Sequence, residues 1–244
     1  MKRAWFEDWF DTKWYHELYR KRDYMEAERF IDVLIDYLSP GASARFLDLA
    51  CGKGRHSFYL AEKGFDVTGV DLSEQSILAA KARAGHQVEF AVHDMRQLYR
   101  AGAFDFVLNL FTSFGYFEQD DDHVQVLKNM RKSLKPNQPK ARVIIDFLNA
   151  KKVIKGLIPN ELVEIGETRY EIKRSLESGF VKKEITVHHP EGIHQFYERV
   201  RLFELADFEL LFEKAGLQMV DTFGDYLLNP YDLEADRLIL IGAG

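Results

Sequence analysis

Apolar positions in the first 38 residues recur at helical spacing. Trp5, Phe6, Trp9 and Phe10 form one group, Trp14, Tyr15, Leu18 and Tyr19 the next, and Phe30, Val33, Leu34, Tyr37 and Leu38 a third. Spacings of three to five place each group on one helical face, and Ser39-Pro40-Gly41 stops the run. Short apolar runs then alternate with helical stretches. "ARFLDLA" predicts a strand ending at Asp48, and His56 to Lys63 a helix closed by Gly64. "FDVTGVDLS" predicts a second strand ending at Asp71, after which Ser73 caps a helix running to about Ala84. "HQVEFAVHD", "AFDFVLNLF" and "KPNQPKARVIIDF" supply three more strands, with a helix through Leu134 begun by Asp120, Asp121 and Asp122. Carboxylates there complement the unpaired amides of a helix start. Strand and helix alternating at this pitch predict right-handed crossovers and a largely parallel sheet.

Beyond residue 150 the pattern switches to two-residue alternation. "ETRYEIKRSLESGFVKKEITVHH" turns back on itself at Glu177-Ser178-Gly179, and "HQFYERVRLFEL" adds a strand. Three or four antiparallel strands over residues 161–205 make a small sheet inserted after the fifth strand. A helix from Ala206 to Ala215 and two last strands, "LQMVDTFGDYLL" and "DRLILIGA", return the chain to the main sheet. The resulting organisation is a helical cap over 1–41, a core over 42–160, the inserted sheet over 161–205, and completion of the core over 206–244.

Composition narrows the function classes. A chain of 244 residues, 46% hydrophobic and 30% charged, can bury a large core. Its 33 Lys and Arg against 39 Asp and Glu leave a net charge of -6, without the basic excess of a general nucleic-acid binder. The single cysteine, Cys51, allows neither an internal disulfide nor a thiolate zinc cluster. No apolar run reaches the roughly 18 residues of a membrane span, and acids interrupt the N-terminal aromatics, so a soluble cytoplasmic protein is the default expectation. All three tryptophans fall within the first 14 residues.

The chemistry concentrates in "LDLACGKGRH", residues 47 to 56. Gly52 and Gly54 follow a buried strand and let the backbone turn steeply toward a ligand. The spacing fails the dinucleotide fingerprint, since Ser57 stands where its third glycine belongs, and no Gly-Lys-Ser or Gly-Lys-Thr follows for a triphosphate loop. Asp71, 17 residues beyond Gly54, ends the next strand, where a carboxylate can accept both hydroxyls of a ribose. Asp94 and Met95 follow strand three, an acid for an exocyclic amine and a side chain to pack on a flat base. Each has a plain alternative: a tight turn, a helix cap, a polar turn over a tucked apolar residue. Their coincidence at the carboxyl edge of one sheet argues for a ligand.

Together, "LDLACGKGRH", "GVDLS" and "VHDMRQL" resemble the first three motifs of the class I S-adenosylmethionine-dependent methyltransferases, and the order of elements resembles that family from about residue 42 to the end. "FDTKWYHELYRKRD" resembles the N-terminal cap of its small-molecule and uncharacterised members. The resemblance implies an α/β fold: a Rossmann-like seven-stranded sheet with helices on both faces and a small antiparallel insertion after strand five. It also implies S-adenosyl-L-methionine as cofactor and S-adenosyl-L-homocysteine as product. By similarity, Asp48 and the loop Ala50, Cys51, Gly52 and Gly54 hold the methionine portion. Asp71, with Leu72 beside it, takes the ribose; Asp94 and Met95 frame adenine; Asn109 and the carbonyl of Leu110 face the sulfonium side. Ala50 departs from the commonest loop pattern, which has glycine there. The motifs specify the cofactor and leave the acceptor open, although "NLFTS" lacks the Asn-Pro-Pro-Tyr-type tetrad of enzymes that methylate bases or glutamine amides.

Methyl transfer needs positioning and water exclusion more than covalent catalysis. Tyr15 and Tyr19, one helical turn apart, are candidate catalytic hydroxyls, and His188 is a candidate general base. Arg22, Phe111, Phe114, Tyr116, Tyr197 and Arg199 are candidate contacts to the acceptor. Packing residues and solvated charges are the competing readings of these positions. Cys51 and His56 read as structural residues, and the histidines among His188, His189 and His194 lack a further ligand to make a metal site. A small-molecule methyl acceptor is the leading expectation. Methylation of tRNA or protein, a cofactor-binding regulatory protein and an NAD oxidoreductase are the rivals.

Overall fold

The computed structural model describes residues 4–20, 24–84 and 88–244. The N-terminal aromatic stretch is broken rather than continuous, with α1 (Trp5–Trp9), α2 (Lys13–Leu18) and α3 (Tyr24–Leu38). Thr12 causes one break: in extended conformation, its hydroxyl accepts from the Tyr15 amide and starts α2 afresh. There follow β1 (Arg45–Leu49), α4 (Arg55–Glu62), β2 (Asp66–Asp71), α5 (Glu74–Ala84), β3 (Glu89–Val92), β4 (Phe106–Asn109), α6 (Asp120–Ser133) and β5 (Arg142–Leu148). A short helix that periodicity did not predict, α7 (Ala150–Lys155), is capped by the Asn149 side chain. A second sheet comprises β6 (Asn160–Ile165), β7 (Thr168–Glu177), β8 (Phe180–His189) and β9 (Gly192–Arg201). The chain closes with α8 (Leu205–Ala215), β10 (Gln218–Phe223) and β11 (Arg237–Ala243).

The main sheet runs β10-β11-β5-β4-β1-β2-β3. Strands β1 to β5 pair in parallel, while β11 lies antiparallel between β5 and β10. Successive residues of a strand point to opposite faces, which gives this sheet two cores. Val143, Ile145 and Phe147 of β5 pack with α6 and α8 on one face, and Ile144 joins residues of α3, α4 and α5 on the other. The second sheet is a wholly antiparallel meander, β6-β7-β8-β9. A third cluster ties it to the N-terminus: Trp9 and Trp14 pack with Tyr170, Ile172, Ile185 and Val187. No helix among the described residues is long and apolar enough to cross a membrane.

Candidate active site

The order of the main sheet reverses at β1, which has β2 on one side and β4 on the other. Parallel α/β sheets open a crevice at such a point, beyond the carboxyl ends of the strands. Here it is a cavity of about 360 Å³, within the range of roughly 300–1,000 Å³ typical of ligand pockets. The segments following four of the five parallel strands reach it: Ala50 to Lys53 after β1, Asp71 and Leu72 at β2, His93 to Met95 after β3, and Leu110, Phe111 and Ser113 after β4.

The glycine loop is held open by backbone geometry. Ala50 and Gly52 have φ of 64° and 58°, the left-handed region that glycine tolerates and alanine adopts at a cost. A side chain on Gly52 would meet no protein atom within 4 Å, so the space beside it is open. Gly54, the left-handed N-cap of α4, serves differently: a Cβ there would stand 2.6 Å from Phe90 Cζ. Gly54 therefore lets α4 close on β3 and does not line the cavity. Asp71 braces the loop by accepting the Gly52 amide on Oδ2 and the Ser73 amide on Oδ1, each at 2.8 Å. Burial pushes its carboxyl above the usual range, while those two amides pull it back. Cys51, which faces the cavity, is held as a thiol: burial raises it first, and the Asp48 and Asp71 carboxylates add to the shift.

Asp94 and Met95 line the same cavity. Burial works to raise the Asp94 carboxyl, but the Arg96 guanidinium grips both oxygens and leaves it below the ordinary carboxylate value. Opposite these loops stand residues of the N-terminal helices, among them Phe6, Phe10, Tyr15 and Tyr19. A smaller chamber of about 170 Å³ shares Phe10, Tyr15, Tyr19, Phe111 and Tyr116 with the main cavity and adds Trp5, Thr112, Glu198, Val200 and Arg237.

The wall between the two spaces is a strained loop. Phe111 and Thr112 both have positive φ, 60° and 58°, a costly conformation for non-glycine residues. Asp146, at 1% exposure, holds it there. Its Oδ2 accepts the Phe111 amide at 2.7 Å and the Tyr226 hydroxyl at 3.0 Å, and its Oδ1 accepts Arg237 Nε at 2.7 Å. Arg237 Nη2 donates to the Thr112 hydroxyl at 2.8 Å. Although burial opposes its charge, the Asp146 carboxylate keeps this guanidinium above its ordinary pKa.

Other candidate residues do not line either space. Asp48 lies under the loop, 1% exposed, where its carboxylate accepts the Ser57 hydroxyl at 2.6 Å and burial raises its pKa to about 6. Asn109 is fully buried and spends its amide on the Leu49 carbonyl. Phe114 belongs to the core beside Phe203 and Phe208. His188 sits on the second sheet with Nε2 3.4 Å from Glu171, away from both spaces. Tyr197 is 42% exposed, and Arg199 stacks on Phe180 and pairs with Glu118. Arg22 lies outside the described residues. Among the described residues, no group of three or more His, Cys, Asp or Glu converges to hold a metal ion.

The lining also holds residues that sequence reasoning missed. Lys53, Arg55 and His56 lie inside the quoted glycine motif and could have been read from it. Phe6 and Phe10 belong to the aromatic stripe already noted. Glu198, Val200 and Arg237 carried no local signal.

Comparison with known proteins agrees with this geometry. Residues 46–137 match the family model described as a methyltransferase domain. The putative methyltransferase YqeM of Bacillus subtilis is 28% identical over 80% of this chain and 81% of its own. The cypemycin N-terminal methyltransferase of Streptomyces is 26% identical, over 86% of this chain and 92% of its own. Among solved structures, an S-adenosylmethionine-dependent methyltransferase from Clostridium acetobutylicum superposes with a TM-score of 0.78 at 22% identity, covering 93% of this chain and 95% of that one.

Proposed function

We propose that this chain is a class I S-adenosylmethionine-dependent methyltransferase whose acceptor is a small molecule seated in the chamber between the N-terminal helices and β9. The observation that carries the reading is the shared aromatic wall: Phe10, Tyr15, Tyr19, Phe111 and Tyr116 border both the main cavity and the smaller chamber. A chamber of about 170 Å³ suits a small acceptor, and the net charge of -6 gives a polyanion no general attraction.

In this reading the loop from Ala50 to Gly52 cradles the methionine portion of the cofactor, Asp71 accepts the ribose hydroxyls, and Asp94 with Met95 borders adenine. Asp94 does so while shared with Arg96. Asp48, Gly54 and Asn109 act from behind, holding the loops that make contact. When bound, the cofactor would supply an electrophilic methyl for in-line transfer to the acceptor. The residues of the chain align the nucleophile and exclude solvent, which is where rate is gained in such a displacement. Tyr15 and Tyr19 form the wall of the passage, and the Tyr19 hydroxyl is engaged with Glu198 and Lys183.

Radiolabelled S-adenosylmethionine offered with panels of amines, carboxylates and phenols, and separately with tRNA and protein, tests the proposal. Label is expected on a small molecule; label on tRNA or protein alone contradicts it. Asp71→Ala is expected to weaken cofactor binding by about 1–3 kcal/mol, roughly 5- to 150-fold in Kd, through loss of a charged hydrogen bond. An unchanged Kd in calorimetry removes Asp71 from the ribose.

A further inference from the structure

We propose that Asp11 is a positioning residue: it fastens the N-terminal helices beside the main cavity and so sets how quickly the cofactor leaves. This rests on the reading that the main cavity holds S-adenosylmethionine, and it adds a control on that same site.

α1 and α2 have five and six residues, too short to hold a fixed shape without tertiary contacts. With the residues that end them they nevertheless supply a wall of the cavity, where Phe6, Phe10, Tyr15 and Tyr19 stand opposite the loops after β1 to β4. One set of contacts docks this wall on the second sheet. Trp9 Nε1–H donates to Glu198 at 2.8 Å, and the Tyr170 hydroxyl donates to Glu17 at 2.5 Å. Asp11, half-buried in the turn between the two helices, reaches the other way, to the main sheet's own helices. Its Oδ1 accepts the Ser73 hydroxyl at 2.7 Å and the Gln75 amide at 2.9 Å, 62 and 64 residues along the chain.

These partners stand at the start of α5, whose first amides lack acceptors within the helix. The Ser73 hydroxyl serves the Ser76 amide at 3.0 Å, as its place before the helix predicts, and Asp11 serves Gln75 from a distant segment. A carboxylate there also complements the helix dipole. Ser73 is the joint of the arrangement, because its amide donates to Asp71 Oδ1 at 2.8 Å while its hydroxyl donates to Asp11. The N-terminal wall is thus linked, through one serine, to the carboxylate assigned to the ribose. A ligand held between the wall and the loops leaves as the two part, and parting breaks both hydrogen bonds of Asp11. Such losses act mostly on the dissociation rate.

All three tryptophans lie in this segment, at positions 5, 9 and 14, so stopped-flow tryptophan fluorescence follows it while S-adenosylhomocysteine binds and leaves. Calorimetry supplies the dissociation constant, and urea unfolding establishes that each variant is folded. Asp11→Ala is expected to raise the dissociation rate and Kd about tenfold, with association changed by less than about threefold, the scale of lost hydrogen bonds to a charged group. Asp11→Asn keeps a side-chain oxygen for Ser73 and Gln75 and is expected to stay within about threefold of wild type in both. Release from Asp11→Ala at the wild-type rate overturns the proposal even where folding stability falls, since Asp11 then caps α5 and nothing more. Equal acceleration in Asp11→Asn overturns it too, by assigning the effect to charge rather than to the fastening. Wild-type protein that does not bind S-adenosylhomocysteine at all overturns the cofactor reading, and the proposal with it.

Discussion

Replacing Asp146 by alanine is expected to cost about 3–5 kcal/mol of folding stability, because it strands a buried guanidinium without its counter-charge. Three groups lose their acceptor together: the Phe111 amide, the Tyr226 hydroxyl and Arg237 Nε. Arg237 has a side chain only 19% exposed and little water to fall back on. The loss also frees the Phe111–Thr112 turn from the conformation that Asp146 imposes, so turnover should drop in whatever protein remains folded. Urea unfolding of wild type, Asp146→Ala and the double variant Asp146→Leu with Arg237→Leu measures this. The double variant should recover much of the loss, since removing both members of a buried pair is far less damaging than removing one. A cost below about 1 kcal/mol for Asp146→Ala shows that solvent or a neighbour replaces the carboxylate.

The second large effect lies in acid. His123 is fully buried on α6, ringed by Phe114, Phe117 and Phe203 at 4.9 to 5.1 Å. Burial pushes its pKa down from 6.5 to about 4, so the folded protein holds it neutral while the unfolded chain takes up a proton. Protons bound preferentially by the unfolded state make stability fall as pH falls. The His123 contribution is therefore intact above about pH 6.5 and is lost progressively down to about pH 4, by roughly 3 kcal/mol in all. Asp48 works the other way over an overlapping window. Its folded pKa of about 6 exceeds the ordinary 3.8, so the folded state gains stability as pH drops from 6 toward 4. The two slopes oppose each other, and the wild-type curve alone conceals both. The informative quantity is the stability of wild type minus that of His123→Phe, which should fall by roughly 2–3 kcal/mol between pH 7.5 and pH 4.5. A difference that stays constant across that range shows that His123 titrates normally.

The parts of the fold legible in the sequence were those whose signal is local. β1, β2 and β3 announced themselves as apolar runs ending in acids or glycines, and Asp71, Asp94 and Met95 line the cavity. Asp48 shared the same sequence position relative to its strand, but β1 continues one residue further and turns that carboxylate beneath the loop. Contacts between distant segments carried no such signal. Trp9 and Glu198 are 189 residues apart and hydrogen-bonded. The early tryptophans accordingly divide in a way that composition cannot show: Trp9 and Trp14 dock the N-terminus onto the second sheet, and Trp5 faces the chamber.

On β9 the error was one of parity. Tyr197 and Arg199, the expected acceptor contacts, share one face of the strand. Glu198 and Val200, on the other face, line the chamber. Which face turns inward depends on what packs against the sheet, and that is set by α1 rather than by the strand itself. Arg237 and Asp146 were unreadable for the same reason. They come from separate strands, and only the antiparallel pairing of β11 on β5 brings them beside the loop after β4.

The proposed function requires a cofactor in the main cavity whose sulfur faces the smaller chamber. A crystal structure with S-adenosylhomocysteine bound tests that directly. The ribose is expected on Asp71, adenine beside Asp94 and Met95, and the sulfur directed past Phe111 and Tyr19 toward Glu198. An adenine lying in the chamber of Trp5 and Glu198, or a sulfur directed away from it, contradicts the assignment of that chamber to the acceptor.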